Sequence, residues 1–198
     1  MENYILQMKG IYKEFPGVKA LQGVDFNLKP GEVHALIGMN GSGKSTLIKI
    51  LAGIYQRDAG DIIINGKKVE TINPYIAKEL GISTVYQDPQ MISTFSGFEN
   101  IYLGSETEGR SVFKTINRLE MRKRAQKLLE KYPFQIDLNK PVYELETVEK
   151  ETIAVLRALS QQKTTVLVLD EPTSILTRRE IDVLFKQIDI LKKNGIAI

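Results

Sequence analysis

Nine consecutive residues, Gly38-Met39-Asn40-Gly41-Ser42-Gly43-Lys44-Ser45-Thr46, restrict what this chain can fold into more than any other stretch. They fit G-x-x-x-x-G-K-[ST] and stand between an apolar run at 33–37 and a helical pattern at 47–51, the strand-then-helix setting in which that spacing cradles phosphate. Gly38, Gly41 and Gly43 remove side chains so that backbone N–H groups, with those of Asn40 and Ser42, can turn inward on a di- or triphosphate. The start of the helix adds its partial positive charge. Lys44 then reaches the β- and γ-phosphates as a point charge, Ser45 offers its hydroxyl to Mg²⁺, and Thr46 supports the α- or β-phosphate.

A core built around such a loop needs a buried parallel sheet, and 198 residues suffice for one such domain with a smaller subdomain inserted. A share of 42% apolar and 26% charged residues is ordinary for a globular protein. The net charge of +3 is too weak to argue for a large nucleic-acid face. With no cysteine, neither a disulfide nor a thiolate metal site can form. The first residues lack the basic segment and long apolar run of a signal peptide, and no run approaches the length of a membrane span. A role at a membrane would be played from its surface, through a partner.

Along the chain, residues 4–12 and 18–28 read as strands, and 32–38 as the buried strand that delivers the glycine-rich loop. Residues 61–64 followed by Asn65-Gly66 read as a strand entering a hairpin, 74–80 as a short helix stopped by Gly81, and 82–87 as a strand. From 88 to about 160 the pattern is mostly helix and loop. Residues 98–103 form a short amphipathic piece, and 104–117 are polar and expected to move. Met121, Ala125, Leu128, Leu129 and Tyr132 recur at helical spacing, with Arg118, Arg122, Lys123, Arg124 and Lys127 on a solvated face. The organisation expected is a nucleotide-binding core from 1–87 and 161–198, interrupted by a helical subdomain at 88–160. The apolar run at 164–169 is a strand covered on both faces. Residues 178–194 form a helix whose inward face is Ile181, Leu184, Phe185, Ile188 and Leu191. A last strand begins at Gly195, so the sequence reads as a piece of an α/β sheet cut short at its C-terminus.

Leu167-Val168-Leu169-Asp170-Glu171-Pro172 is the second informative site. A buried strand ending in two acids sets both carboxylates at the carboxyl edge of the sheet, beside the glycine-rich loop. There Asp170 can hold Mg²⁺, directly or through water, and Glu171 can polarise an attacking water as general base.

Together with Tyr86-Gln87-Asp88 and the continuation Thr173-Ser174, these motifs resemble the ATPase domain of ABC transporters. Phe15-Pro16-Gly17-Val18-Lys19-Ala20-Leu21, Glu99-Asn100-Ile101-Tyr102-Leu103-Gly104 and Leu176-Thr177-Arg178-Arg179-Glu180 narrow it. They resemble the N-terminal ATPase domain of bacterial monosaccharide importers of the ribose, galactose and xylose type. The resemblance covers nearly the whole chain. It implies an α/β fold with a P-loop NTPase core of ABC-ATPase type, in which a mixed sheet carries an antiparallel β subdomain and a helical subdomain is inserted. It implies ATP and Mg²⁺ as cofactors and a second ABC ATPase domain as partner. It also implies a transmembrane permease, indirectly a solute-binding protein, no nucleic acid, and a cytoplasmic place on the inner face of the cell membrane. By the same resemblance Phe15 stacks on adenine, and Gln87 touches Mg²⁺ or the attacking water and relays nucleotide state. Residues 174–177 cross the interface between two domains.

Two departures stand out. The family's signature loop falls on Leu145, Glu146, Thr147, Val148 and Glu149, where an acid replaces the serine that would hold the partner's γ-phosphate and Val148 adds bulk. The family's switch histidine would lie beyond Ile198; His34, the only histidine, sits before the glycine-rich loop and reads as a core or edge residue. The expectation is an asymmetric pair of sites, in which the one completed by 145–149 binds ATP weakly or without turnover. This piece alone then binds nucleotide and hardly hydrolyses it. The competing readings are an ABC-type ATP switch acting on the ribosome or nucleic acid, and a regulatory nucleotide-binding domain without hydrolysis.

Overall fold

Period-two alternation in the first thirty residues produces the first layer. In a computed structural model that describes residues 3–87, 89–105, 117–160 and 164–198, β1 (Leu6–Phe15) pairs antiparallel with β2 (Val18–Leu28), from Leu6 opposite Leu28 to Phe15 opposite Val18. The segment expected to move between 104 and 117 lies largely outside the described residues. On the other side of β1 runs β3 (Ala59–Ile64), which turns through Asn65 and Gly66, both at positive φ (51° and 74°), into β4 (Lys67–Val69). That dipeptide is the tight-turn chemistry a two-residue hairpin requires. The result is a four-stranded antiparallel sheet in the order β2-β1-β3-β4. Its inward side chains Leu6, Met8, Ile11, Ile62 and Ile64 form one core with Leu47, Ile50 and Leu51 of α1 (Lys44–Leu51).

After the short helix α2 (Pro74–Glu79), a second, parallel layer starts with β5 (Ile82–Val85) beside β6 (Val166–Leu169). Hydrogen bonds carry it further: Leu167 N–H to Ala197 C=O at 2.8 Å and Ala197 N–H to Thr165 C=O at 2.9 Å. Beyond that edge, Ile198 N–H donates to Glu32 C=O and His34 N–H to Ile198 C=O, both at 2.8 Å. These are parallel ladders, so the chain entering the glycine-rich loop and the chain leaving β6 emerge on the same sheet edge. The expectation of a buried strand over 32–38 needs correction. Pairing stops at His34, and the side chains from 33 to 40 are exposed, Ile37 by 90% and Met39 by 86%.

The described residues divide into two compact units, one drawn from Met1–Thr84, Lys163–Asp170 and Leu191–Ile198, the other from Val85–Gln162 and Glu171–Ile190. The second is helical. In it α3 (Gly97–Ile101), α4 (Arg118–Lys131) and α5 (Thr147–Leu159) pack together, with most of α6 (Arg178–Lys193) belonging to the same unit. Met121 and Ala125 of α4 are buried, while Arg118, Arg122, Lys123 and Lys127 are exposed; Arg124 lies over the Tyr102 ring, 4.4 Å from its centroid. The buried Asn100 organises the segment before α3. It accepts from Ile92 N–H at 2.9 Å and donates to the carbonyls of Ile92 and Ser96 at 3.0 and 3.1 Å.

Candidate nucleotide site

The glycine-rich loop ends at Gly43, the N-cap of α1, whose φ of 92° favours glycine. A Cβ there would also stand 2.5 Å from Ala20 O and 2.8 Å from Leu21 Cδ2, so the loop lies directly on β2. At Gly38 a Cβ would meet Ser42 Oγ at 2.6 Å. Gly43 therefore needs glycine for space, independently of any ligand, whereas at Gly38 a rotation of the Ser42 hydroxyl would make room. Lys44 Nζ donates to Gly38 O at 2.7 Å and Met39 O at 2.9 Å, which holds the ammonium across the mouth of the loop. No acidic residue stands in the first turn of α1. One ammonium, a helix N-terminus and a side-chain-poor bend make a cradle fit for a phosphate chain. Ser45 follows at the exposed start of the helix.

Asp170 is half-buried at the end of β6, in the same unit as the loop and on the same sheet edge. Among the described residues no cluster of three or more His, Asp or Glu side chains could enclose a metal. A cation held by the Ser45 hydroxyl and the Asp170 carboxylate would draw its other ligands from phosphate oxygens and water. That donor set fits magnesium, which keeps several waters and few protein ligands.

Glu171 sits at φ 51°, in the left-handed region that non-glycine residues seldom adopt, and its side chain is exposed. Gln87 and Glu171 both belong to the second unit. Gln87 Nε2 lies 3.5 Å from Ser174 Oγ, and Ser174 N–H donates to Glu171 C=O at 3.2 Å. A turn thus brings the glutamine and the strained glutamate into one neighbourhood. Phe15 is half-buried at the tip of β1, edge-on to Tyr55 with centroids 5.3 Å apart. His34 stacks obliquely on Phe26 at 4.8 Å, with Nδ1 3.3 Å from Glu32 Oε1: an edge residue of the sheet.

Glu146 is the N-cap of α5 in extended backbone, and its N–H donates to the Glu149 carboxylate at 2.9 Å. Leu145 and Val148 are buried, while Thr147 and Glu149 are half-buried. Glu180, at the start of α6, accepts from Thr177 N–H at 2.8 Å and Thr177 Oγ1 at 2.7 Å. Those two donors, followed by the N–H of Val148, hold its carboxyl below the usual glutamate range. Three carboxylates therefore crowd the N-terminus of α5.

Sequence reasoning missed three residues here. Tyr55 touches Phe15, Glu180 reaches Val148, and Arg157 donates from Nε to Asn100 O and from Nη1 to Gln90 O, both at 2.8 Å. The partners lie from 32 to 67 positions away, and only the Thr177-x-x-Glu180 spacing offered a local signal.

A profile of the ABC transporter family matches residues 21–174. The chain is 42% identical over 194 residues to ribose import ATP-binding protein RbsA 1 of Rubrobacter xylanophilus, covering 98% of this chain and 38% of that protein. It is 43% identical to ribose import ATP-binding protein RbsA of Clostridium tetani over 100% of this chain and 39% of that one. To the galactofuranose transporter ATP-binding protein YtfR of Escherichia coli K12 it is 40% identical, covering 98% and 38%. It thus spans under two-fifths of the length of these relatives. The crystal structure of a nucleotide-free ATP-binding cassette from an ABC transporter superposes with a TM-score of 0.84 at 30% identity, over 98% of this chain and 79% of that one. A dimeric bacterial ABC transporter cassette shares the fold at 24% identity and a TM-score of 0.74, over 96% and 84%. The family match over residues 21–174 and the identity of 40–43% to these import proteins show that the chain belongs to the ABC transporter family.

Proposed function

We propose that this chain is the N-terminal ATPase domain of a monosaccharide importer, binding ATP and Mg²⁺ and coupling hydrolysis to uptake through a membrane permease. The observation that carries the ATP-binding half is the glycine-rich loop: a lysine ammonium held across a left-handed bend at a helix start that has no acid. The coupling half is supported by likeness along nearly the whole of this chain to sugar-import ATP-binding proteins, of whose length it spans under two-fifths.

In this reading Gly38, Asn40, Gly41, Ser42, Gly43 and Thr46 present donors to the phosphate chain, and Lys44 neutralises charge at the β- and γ-phosphates. Phe15 stacks on adenine. Ser45, Asp170 and Gln87 would hold the cation, which would offset charge on the transferring phosphoryl group. Glu171 accepts a proton from the attacking water. A second ABC ATPase domain completes each site, and closure and reopening of the pair drive the permease, which in turn takes solute from a binding protein. The work is done on the inner face of the membrane; among the described residues no helix is long and apolar enough to cross one.

The crowded acids at α5 support an asymmetric pair. The site completed by Leu145, Glu146, Thr147, Val148 and Glu149 is the weak one, and the chain alone binds ATP with negligible turnover. The test is purification of the whole polypeptide with its membrane partners, followed by ATP-driven monosaccharide uptake into vesicles. Uptake lost in Lys44→Ala is expected. Co-purification with ribosomes and no uptake would overturn the reading.

A further inference from the structure

A phenyl ring at a strand tip turns about two side-chain torsions, so its use as a stacking platform depends on what fixes it. At Phe15 the turn at 55–58 does so twice over. Tyr55 meets the ring edge-on, with an interplanar angle of 70°, the arrangement that aromatic quadrupoles favour. Tyr55 is itself fastened to α1: its N–H donates to Lys49 C=O at 3.1 Å, and Lys49 Nζ lies 5.5 Å from its ring centroid. Three residues on, Asp58 fixes the backbone of the strand tip. Its Oδ2 accepts from Glu14 N–H at 2.6 Å, its N–H donates to Tyr12 C=O at 2.9 Å, and its Oδ1 accepts from Lys13 Nζ at 2.7 Å. Lys13, so anchored, holds its ammonium 5.3 Å from the Phe15 centroid. The ring is therefore held by Tyr55 at a steep interplanar angle and by Lys13 over one face, and the helix that anchors Tyr55 is the one that begins at Lys44.

We propose that Tyr55 is a positioning residue for recognition of the nucleotide base. Together with Lys13 it locks the Phe15 ring, so that a planar purine stacks on the remaining face while the triphosphate is gripped independently by the loop. This rests on the reading of Phe15 as the base platform and deepens it. Base affinity becomes a property of a four-residue turn that touches no ligand.

Equilibrium titration of the whole polypeptide with Mg-ATP and with Mg-tripolyphosphate separates the two grips. Tyr55→Leu and Phe15→Leu should each weaken Mg-ATP by about three- to tenfold, the scale of one aromatic pair. Tripolyphosphate should stay within about twofold of the unmodified protein, which also shows that the variants are folded. Tyr55→Phe should bind as the unmodified protein does, because the contact uses the ring and not the hydroxyl. In the Phe15→Leu background, Tyr55→Leu should cost nothing more. Additive losses, parallel loss of tripolyphosphate, or an unaffected Tyr55→Leu beside a weakened Phe15→Leu would overturn the proposal alone. An unaffected Phe15→Leu would remove the base-platform reading and this proposal with it.

Discussion

The N-termini of α1 and α5 invite comparison, since each is a loop turning into a helix and each carries the same kind of partial positive charge. At α1 the cap is Gly43, no side chain caps the helix, no acid stands in the first turn, and the first helical residue is Lys44. At α5 the cap is Glu146, the first turn contains Glu149 whose carboxylate takes the Glu146 N–H, and Glu180 approaches Val148 N–H from α6. One dipole is left for an anion from outside; the other has been given the chain's own anions. A phosphate brought to α5 would meet carboxylates. At an effective dielectric of about 20, two unit charges some 4 Å apart repel by about 4 kcal/mol, more than a hydrogen bond to a charged group returns. Backbone form alone thus does not make a phosphate site; the side chains next to it decide the sign.

If the cradle at α1 only binds and the acid after β6 does the chemistry, the two functions should separate. Glu171→Gln in the whole transporter should lower ATP turnover by about 10²- to 10⁴-fold, the usual loss when a general base is removed. Affinity for Mg-ATP should change little. Turnover that survives would reassign the base. Removing the ammonium attacks the other half. Lys44→Ala should weaken Mg-ATP by about a hundredfold in calorimetry, the scale of losing charged hydrogen bonds. A near-normal heat of binding would mean that the resemblance of the loop is formal.

The comparison is broken most directly by making α5 resemble a phosphate site. Replacing Glu146 by Ser and Val148 by Gly together should raise single-turnover hydrolysis at the site this helix completes by about tenfold, as one repelling charge is exchanged for one donor. In the unmodified protein, equal hydrolysis at both sites would end the proposed asymmetry. Glu149 and Glu180 remain in the double variant, which is why a larger gain is not expected.

Residue types at fixed spacing made the cradle and the Asp170-Glu171 pair legible in the sequence, because their chemistry is local. So was the alternation of strands and helices. What escaped was whatever depended on a partner far along the chain. The inward face of α6 was expected to be Ile181, Leu184, Phe185, Ile188 and Leu191. The structure buries Leu184, Ile188 and Leu191 but leaves Phe185 55% exposed and buries Gln187 instead. Gln187 Nε2 donates to Thr152 Oγ1 at 2.7 Å, and Thr152 donates on to Val148 C=O at 2.7 Å. Hydrophobic counting cannot see a hydrogen bond offered by another helix, and that bond turns the face. Tyr55 escapes sequence reasoning for the same reason, since an aromatic residue after a helix announces nothing until Phe15, 40 positions earlier, is folded against it.

The smallest effect expected sharpens the account of α5 on its buried side. Glu151, one turn into the helix, is 6% exposed, and burial pushes its carboxyl above the ordinary value of 4.5. A raised acid holds its proton more firmly in the folded chain than in the unfolded one. Between the ordinary value and the raised one the native state binds more protons, so stability falls as pH climbs through that window and stays lower above it. Glu151→Gln keeps the shape and removes the charge. It should stabilise the protein at pH 7 by on the order of 1 kcal/mol, as expected for relieving one desolvated polar group, and contribute little at pH 4. Urea titrations at the two pH values read the difference. A gain of equal size at both would assign the effect to packing, and a loss at pH 7 would mean that a partner stabilises the ionised form.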